Sequence, residues 1–341
     1  MHINIIMLSE IFFKSQTVFF FLLSLVTFGV VTATEPAMAA RCIVIDKAKG
    51  TLIMLNDGKP VADFPAAFGL DPDSDKQSAL DGATPEGLYF ITYKKAKSRF
   101  HRFLGISYPN LAKAMRALEQ GVISAEEYKR IYQATARSRQ APCDTRLGCG
   151  IGIHGGGVYR SFGKTFETNW TEGCIALNNK DIEKVFAFCR PGDPVVILNS
   201  RRNLYGIIRP FAQIKDVNGE GMPNCPDGIC TYQAELSTTL GRMVITVNEG
   251  KDYSRILKVT VYKDGGGQEK PLLVIVDRNA DGHIGVADSV EGPIAEGRTP
   301  DAVYELARYA AIKALRNGNV LNPGSRPRPP KGEGPAVPNA S

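Results

Sequence analysis

Apolar residues along this chain recur mostly at every second position in short runs, the pattern of strands with one buried face. Cys42-Ile-Val-Ile-Asp46 and Thr51-Leu-Ile-Met-Leu55 alternate on either side of Lys49-Gly50 and predict a hairpin. Further strands are expected over 61–70, 84–91, 100–106 and 194–198. The period then lengthens. Leu111, Met115 and Leu118 share one helical face, and Ser124-Ala-Glu-Glu127 is a capping box opening a second helix to about 137. Ile182, Val185, Phe186 and Cys189 mark another helix, stopped by Pro191-Gly192. Many short strands between turns predict a mainly β fold, a sandwich or barrel, with a helical insertion at about 110–140.

A second region repeats the logic on a smaller scale. Stretches 242–247 and 256–262 alternate, 271–276 is a continuous apolar run, and Thr299-Pro300-Asp301 opens a helix to about 316. The expected division is a catalytic domain at 40–200, a basic linker at 201–212, and a smaller α+β domain at 213–322. The Pro/Gly-rich tail at 323–341 is expected to be disordered.

The N-terminal apolar run, Val18 to Val31, has 14 residues and is followed by Ala37-Met-Ala39. A spanning helix needs ~20 apolar residues, so 1–39 reads as a cleaved signal peptide and the protein as exported to the periplasm or cell wall. Arg41 before Cys42 is unlike a lipoprotein signal, so no lipid anchor is expected. Residues 41–212 hold 25 basic and 17 acidic side chains, within an overall net charge of +6. Such a surface suits a partner rich in carboxylates, and equally suits solubility alone. The basic residues form no aromatic-interleaved stripe, so nucleic acid is not an expected partner.

Chemistry concentrates in Ile151-Gly-Ile-His154-Gly155-Gly-Gly and Thr171-Glu-Gly173-Cys174-Ile-Ala-Leu177. Each is a short strand beside a glycine turn. A free thiol, pKa near ~8.5, is mostly protonated at neutral pH and needs a base such as His154 to become a nucleophile. Backbone N–H groups at Gly173 and Cys174 are natural oxyanion donors.

The two segments together resemble the L,D-transpeptidase (YkuD-type) catalytic family. Asp81-Gly-Ala-Thr84-Pro85-Glu86-Gly87-Leu-Tyr89, Ser107-Tyr108-Pro109-Asn110 and Gly192-Asp-Pro-Val-Val-Ile-Leu198 extend the resemblance over about 42–198. The Ser-Tyr-Pro-Asn element and the Cys-Ile-Ala-Leu ending are most similar to the YafK-like branch. Glu172 and Ala176 stand where the common form has His and Arg. The resemblance implies an L,D-transpeptidase-like fold and a cysteine nucleophile that forms a thioester with peptidoglycan stem peptides. An amine acceptor, such as an envelope lipoprotein, or water then resolves it. Cys174, His154 and Gly173 are the implied catalytic residues; Tyr108, Gly155, Arg160, Trp170 and Thr171 are expected at the substrate. Catalysis needs no cofactor.

Seven cysteines leave one unpaired if the rest bridge, and the motif nominates Cys174. Cys143/Cys149 and Cys225/Cys230 flank short loops that can close on themselves. Cys42 and Cys189 then pair by exclusion, although six cysteines allow fifteen pairings.

The second region carries Asp277-Arg-Asn279-Ala-Asp281-Gly282-His283, with Asp288 at position 12. Oxygens at positions 1, 3 and 5, a glycine at 6 and a carboxylate at 12, with His283 at 7, follow the spacing of a calcium loop. Asp at position 12 and a preceding strand depart from it, and an Asx-rich turn is the other reading. Asp216, Asn218, Glu220, Gly221 and Asp227 form a looser echo.

Overall fold

The computed structural model describes residues 41–319 except 138, 216–224, 226–227, 253 and 264–269. The expected leader, the echo at Asp216–Asp227 and the tail at 323–341 lie outside the described residues. No helix among the described residues is long and apolar enough to cross a membrane.

The chain runs β1 (Arg41–Asp46), β2 (Thr51–Asn56), β3 (Lys59–Pro65), β4 (Gly87–Ser98), β5 (His101–Ile106), α1 (Leu111–Glu119), α2 (Ala125–Ala136). Next come β6 (Gly152–His154), β7 (Arg160–Phe162), β8 (Thr165–Glu167), β9 (Ile175–Ala176), α3 (Asn179–Phe188), β10 (Pro194–Leu198) and α4 (Leu204–Ile208). β11 (Gln213–Ile214), β12 (Ile229–Thr238), β13 (Gly241–Gly250), β14 (Arg255–Tyr262), β15 (Leu273–Asp277), β16 (Ser289–Glu291) and α5 (Pro300–Arg316) complete it. The fold is mainly β, as the alternation predicts.

One sheet has eight strands in the order β3-β2-β1-β10-β4-β5-β6-β9. Its parallel pairs are β1/β10 and β6/β9; the others are antiparallel. Alternation along β1 sends Ile43 and Ile45 to one face, where they meet Phe68, Ile91, Leu104, and Ile182 and Val185 of α3. Cys42 and Val44 face the other way, into a core shared with α1, α2, α4 and the second sheet. That second sheet, β11 to β16 in sequence order, carries α5, whose Ala307, Ala310, Ala311 and Ala314 are buried. Both faces of the central strands are therefore dry, and each fully buried aliphatic side chain adds about 1.5–3 kcal/mol.

The two sheets are not joined by a linker. Residues 201–212, expected to be one, contain α4, whose Leu204, Ile207 and Ile208 are buried in the shared core. The basic residues at its ends also have partners: Arg202 pairs with Glu86 and Arg209 with Glu249 of β13, while Arg308 of α5 donates to the carbonyls of Ser200 and Arg202 at 2.7 Å.

The capping box of α2 is present, with Ser124 and Glu127 bonded reciprocally. Both insertion helices turn Ala114, Met115, Tyr128 and Ile131 into the shared core. β4 starts at Gly87 rather than at Thr84, because the residues before it hold loops. Thr84 Oγ1 accepts from Gly69 N at 2.9 Å, and Glu86 pairs with both Lys47 and Arg202.

The bridges Cys143–Cys149 and Cys225–Cys230 are formed, with Cα–Cα distances of 4.7 and 4.5 Å. The third expected bridge is not. Cys42 and Cys189 are free and buried, because strand alternation sets Cys42 with Val44 on one face while Cys189 packs in the core of the other.

Candidate active site

β6 and β9 run side by side in parallel, with Ile153 opposite Ile175 and His154 opposite Ala176. Cys174 immediately precedes β9. The two-residue period places it on the same face as Ala176, and so on the face of His154, one diagonal step away. Gly152 fills the intervening position without a side chain. The Cys143–Cys149 bridge closes the loop that leads into β6.

The histidine is 1% exposed and lies within an aromatic cage. Phe100 stacks on it at 4.4 Å between centroids, Phe103 lies at 6.0 Å, and Trp170 is tilted against it at 5.8 Å. Its Nδ1 is 2.6 Å from the Gly155 carbonyl oxygen. A carbonyl only accepts, so Nδ1 carries the proton and Nε2 keeps a free lone pair, the form a general base requires. Gly155 is tightly enclosed: a Cβ there would meet Asn179 Oδ1 at 2.6 Å and Phe100 O at 2.7 Å. Its role is thus to orient the imidazole, ahead of any contact with substrate.

The cysteine turn is held just as firmly. Thr171 Oγ1 donates to the Cys174 carbonyl at 2.7 Å and accepts from Gly173 N at 3.2 Å. Of the two expected oxyanion donors, Gly173 N–H is therefore already engaged, and Cys174 N–H is the one left available. Gly173 has φ of 120°, and a Cβ would meet the Ala83 carbonyl oxygen at 2.5 Å, so only glycine fits. The half-buried Cys174 Sγ is 3.8 Å from the Gly150 carbonyl oxygen.

Electrostatically the pair rests neutral. Burial raises the Cys174 pKa, opposed by the Gly152 N–H and the Lys76 charge. Burial lowers the His154 pKa; its bond to Gly155 opposes this, while Arg160 and Arg99 reinforce it. A thiol and a neutral imidazole, rather than a preformed ion pair, face the substrate.

The expected residues divide as follows. His154, Gly155, Arg160, Trp170, Thr171, Gly173 and Cys174 come together. The Arg160 guanidinium lies 3.9 Å over the Trp170 ring, whose Nε1 donates to Gly157 O at 3.1 Å. Thr171 is 4% exposed and serves the turn. Tyr108, expected at the substrate, is a core residue: 0% exposed, tilted against Tyr89 and part of the same apolar cluster as Ile106, Ile151 and Phe68. Glu172 is exposed, as a carboxylate beside a nascent thiolate should be. Ala176, where the common form has arginine, is buried in a small cluster with Ala67 and Val158, against which Trp170 packs.

Phe100, Tyr93, Arg99 and Lys76 were not foreseen. Gly105 admits the Tyr93 ring, since a Cβ there would stand 2.4 Å from it, and the Tyr93 phenol feels the Cys174 charge. Arg99 lies 4.6 Å over Phe100.

The Asp277–Asp288 loop belongs to the second sheet. Gly282 N donates to Asp277, His283 N to Asp281, and Arg278 N and Gly285 N to Asp288. No three of Asp277, Asp281, His283 and Asp288 bring ligand atoms together. The closed group among the described residues, Glu119 with Cys225 and Cys230, includes two bridged sulfurs.

Residues 40–197 match the YkuD family model, described as the L,D-transpeptidase catalytic domain. The match spans the first sheet with its helices and stops before α4. No curated protein matches the chain. Among solved structures, an L,D-transpeptidase from Xylanimonas cellulosilytica is similar at 14% identity, covering 48% of this chain and 62% of that one, TM-score 0.26. One from Mycobacterium smegmatis gives 13%, 47%, 58% and 0.27. Bd1075 of Bdellovibrio bacteriovorus gives 13%, 67%, 90% and 0.30.

Proposed function

We propose that the protein is an exported cysteine acyltransferase acting on peptidoglycan stem peptides. The observation that carries this reading is His154, with Nδ1 tied to Gly155, on the same sheet face as Cys174. His154 Nε2 takes the thiol proton as sulfur attacks the carbonyl of the donor stem's third residue. The Cys174 N–H faces the developing oxyanion. As the tetrahedral species collapses, the C–N bond breaks and His154 returns the proton to the leaving amine. A thioester on Cys174 remains. An amine on a second stem or on an envelope lipoprotein resolves it to a new amide. The basic character of residues 41–212 favours approach to a wall rich in carboxylates.

Hydrolysis is the second reading. Ala176 closes with apolar packing the place where the common form carries arginine, and the flanking residues resemble the YafK-like branch. Water would then release the acyl group.

Incubation of the mature protein with muropeptides, followed by mass spectrometry, tests both. An acyl adduct on Cys174 is expected, lost in Cys174→Ala and His154→Gln. Dimers mark transfer and shortened monomers mark hydrolysis. Failure to form any adduct under reducing conditions overturns the proposal.

A further inference from the structure

Lys76 follows Asp71-Pro-Asp-Ser-Asp75 and on sequence belongs to a solvated turn, yet it is 1% exposed. Its ammonium donates to Asp81 Oδ1 at 2.8 Å, to the Ala79 carbonyl at 3.4 Å and to the Glu172 carbonyl at 3.3 Å. An ammonium has three donors, so its capacity is filled. The last of those acceptors belongs to the nucleophile's own turn, and a Cβ on Gly173 would lie 3.3 Å from Nζ.

Asp81 is held in turn by Gln77 N, Ser78 N and Ala83 N. The Lys76 carbonyl accepts from Lys113 Nζ of α1 at 2.9 Å, and Lys113 pairs with Asp75. The loop is thus anchored to the helical insertion on one side and grips the Glu172–Gly173 peptide on the other. Thr171 holds the same peptide from its N–H.

We propose that Lys76 is a positioning residue for Cys174: its buried ammonium fixes the Glu172–Gly173 peptide and sets a positive charge beside the nucleophile. A thiolate and an oxyanion are both negative, and in a half-buried site such a charge acts on both at little screening. The other ionisable groups facing Cys174 are Glu172 of its own turn, Arg99 between β4 and β5, Tyr93 of β4 and His154 of β6. Asp81 faces it through Lys76 and offsets part of the lysine charge.

The inference rests on Cys174 being the nucleophile, but its test needs no peptidoglycan, so its failure is separable from failure to find an acyl adduct. The pH dependence of iodoacetamide alkylation is measured on the intact protein, with the modified cysteine located by peptide mapping. Cys42 and Cys189 stay silent, being buried with pKa values pushed up to about 12. Replacing the pair by neutral groups (Lys76→Met with Asp81→Asn) should move the alkylation midpoint up by about 1 unit or more. The rate at pH 7 should then fall about tenfold. Asp81→Asn alone leaves the ammonium less neutralised and should move the midpoint down. Opposite shifts are a signature that a purely structural role does not give. Profiles that superimpose on the parent, even with a lower melting temperature, overturn the proposal. Should the double variant fail to fold, Asp81→Asn decides alone, and no downward shift overturns it.

Discussion

Phe100 lies flat on His154, with ring centroids 4.4 Å apart and planes 18° from parallel. The phenyl ring shields the imidazole from water, and desolvation is the main cause of its lowered pKa. Phe100→Ala should admit water and raise that pKa toward its ordinary value. Since His154 acts when neutral, the acid limb of the rate profile should move to higher pH by up to about 1 unit. Activity at pH 7 should fall about tenfold, as an imidazole released from its stack spends less time in line with sulfur. The same depressed pKa links folding to pH. The unfolded chain binds the His154 proton first, so this term's stability is intact above about pH 6.5 and is lost as pH falls through the folded value. Urea titrations of parent and variant at pH 5 and 7 measure the difference, which should be smaller in Phe100→Ala.

Lys47 and Glu86 form an ion pair at 3.0 Å with side chains 0% and 1% exposed. Lys47 also donates to the carbonyls of Ser74 and Thr84, and Arg202 reaches Glu86 from the other side at 2.9 Å. Glu86→Gln strips the negative charge from between two cations. A buried charge left without its partner costs about 3–5 kcal/mol. Partial exposure of Arg202 places the expected loss at the lower end of that range. Equilibrium denaturation reads the loss, while Cys174 alkylation in the surviving folded fraction should change little.

How far the sequence discloses this architecture depends on which signal carries each part. Periodicity alone places the β1–β2 hairpin, the α2 capping box and α5. The motif couples His154 to Cys174, but their common face depends on the parallel pairing of β6 with β9 across the β7–β8 hairpin, which no local period reveals. Other features are hidden by their surroundings. Leu204, Ile207 and Ile208 have helical spacing, but Arg201, Arg202 and Arg209 around them make the segment read as a solvated exit. Lys76 sits among aspartates that suggest water, although three acceptors draw it inside. Phe100 follows Arg99 with no period to mark it. Exclusion pairs Cys42 with Cys189, whereas the phase of Cys42 with Val44 opposes the pairing. Tyr108 lies within a motif, and motif membership does not distinguish a wall of the core from a wall of the site.

The core common to both sheets predicts the result of truncation. A chain ending at residue 212 would expose Val44, Val196, Leu198, Leu204 and Ile207, all buried against the second sheet and α5. Such a fragment should aggregate or unfold without a sharp transition, whereas the full chain should melt in one step. Scanning calorimetry and sedimentation of the two proteins decide this.

Asp277 is 0% exposed, and its carboxylate is met by the Gly282 N–H and the Tyr304 hydroxyl. In sequence, Asp277, Asn279, Asp281, His283 and Asp288 keep the spacing of a calcium loop, although no three of Asp277, Asp281, His283 and Asp288 bring ligand atoms together in this structure. If calcium draws these ligands together, millimolar calcium should raise the melting temperature, and Asp277→Ala with Asp281→Ala should erase the rise. No rise in the parent leaves the loop a turn capped by its own amides.

The partner behind the His154 ring is a peptide oxygen, with no formal charge to balance an imidazolium. Protonated His154 is consequently a strained, short-lived acid, most stable when it can discharge at once onto a departing nitrogen. On the proposed route the tetrahedral species should then be short-lived, with carbon–nitrogen bond breaking following closely on sulfur–carbon bond making. A substrate whose amine cannot leave promptly should simply return the thiol to its resting state.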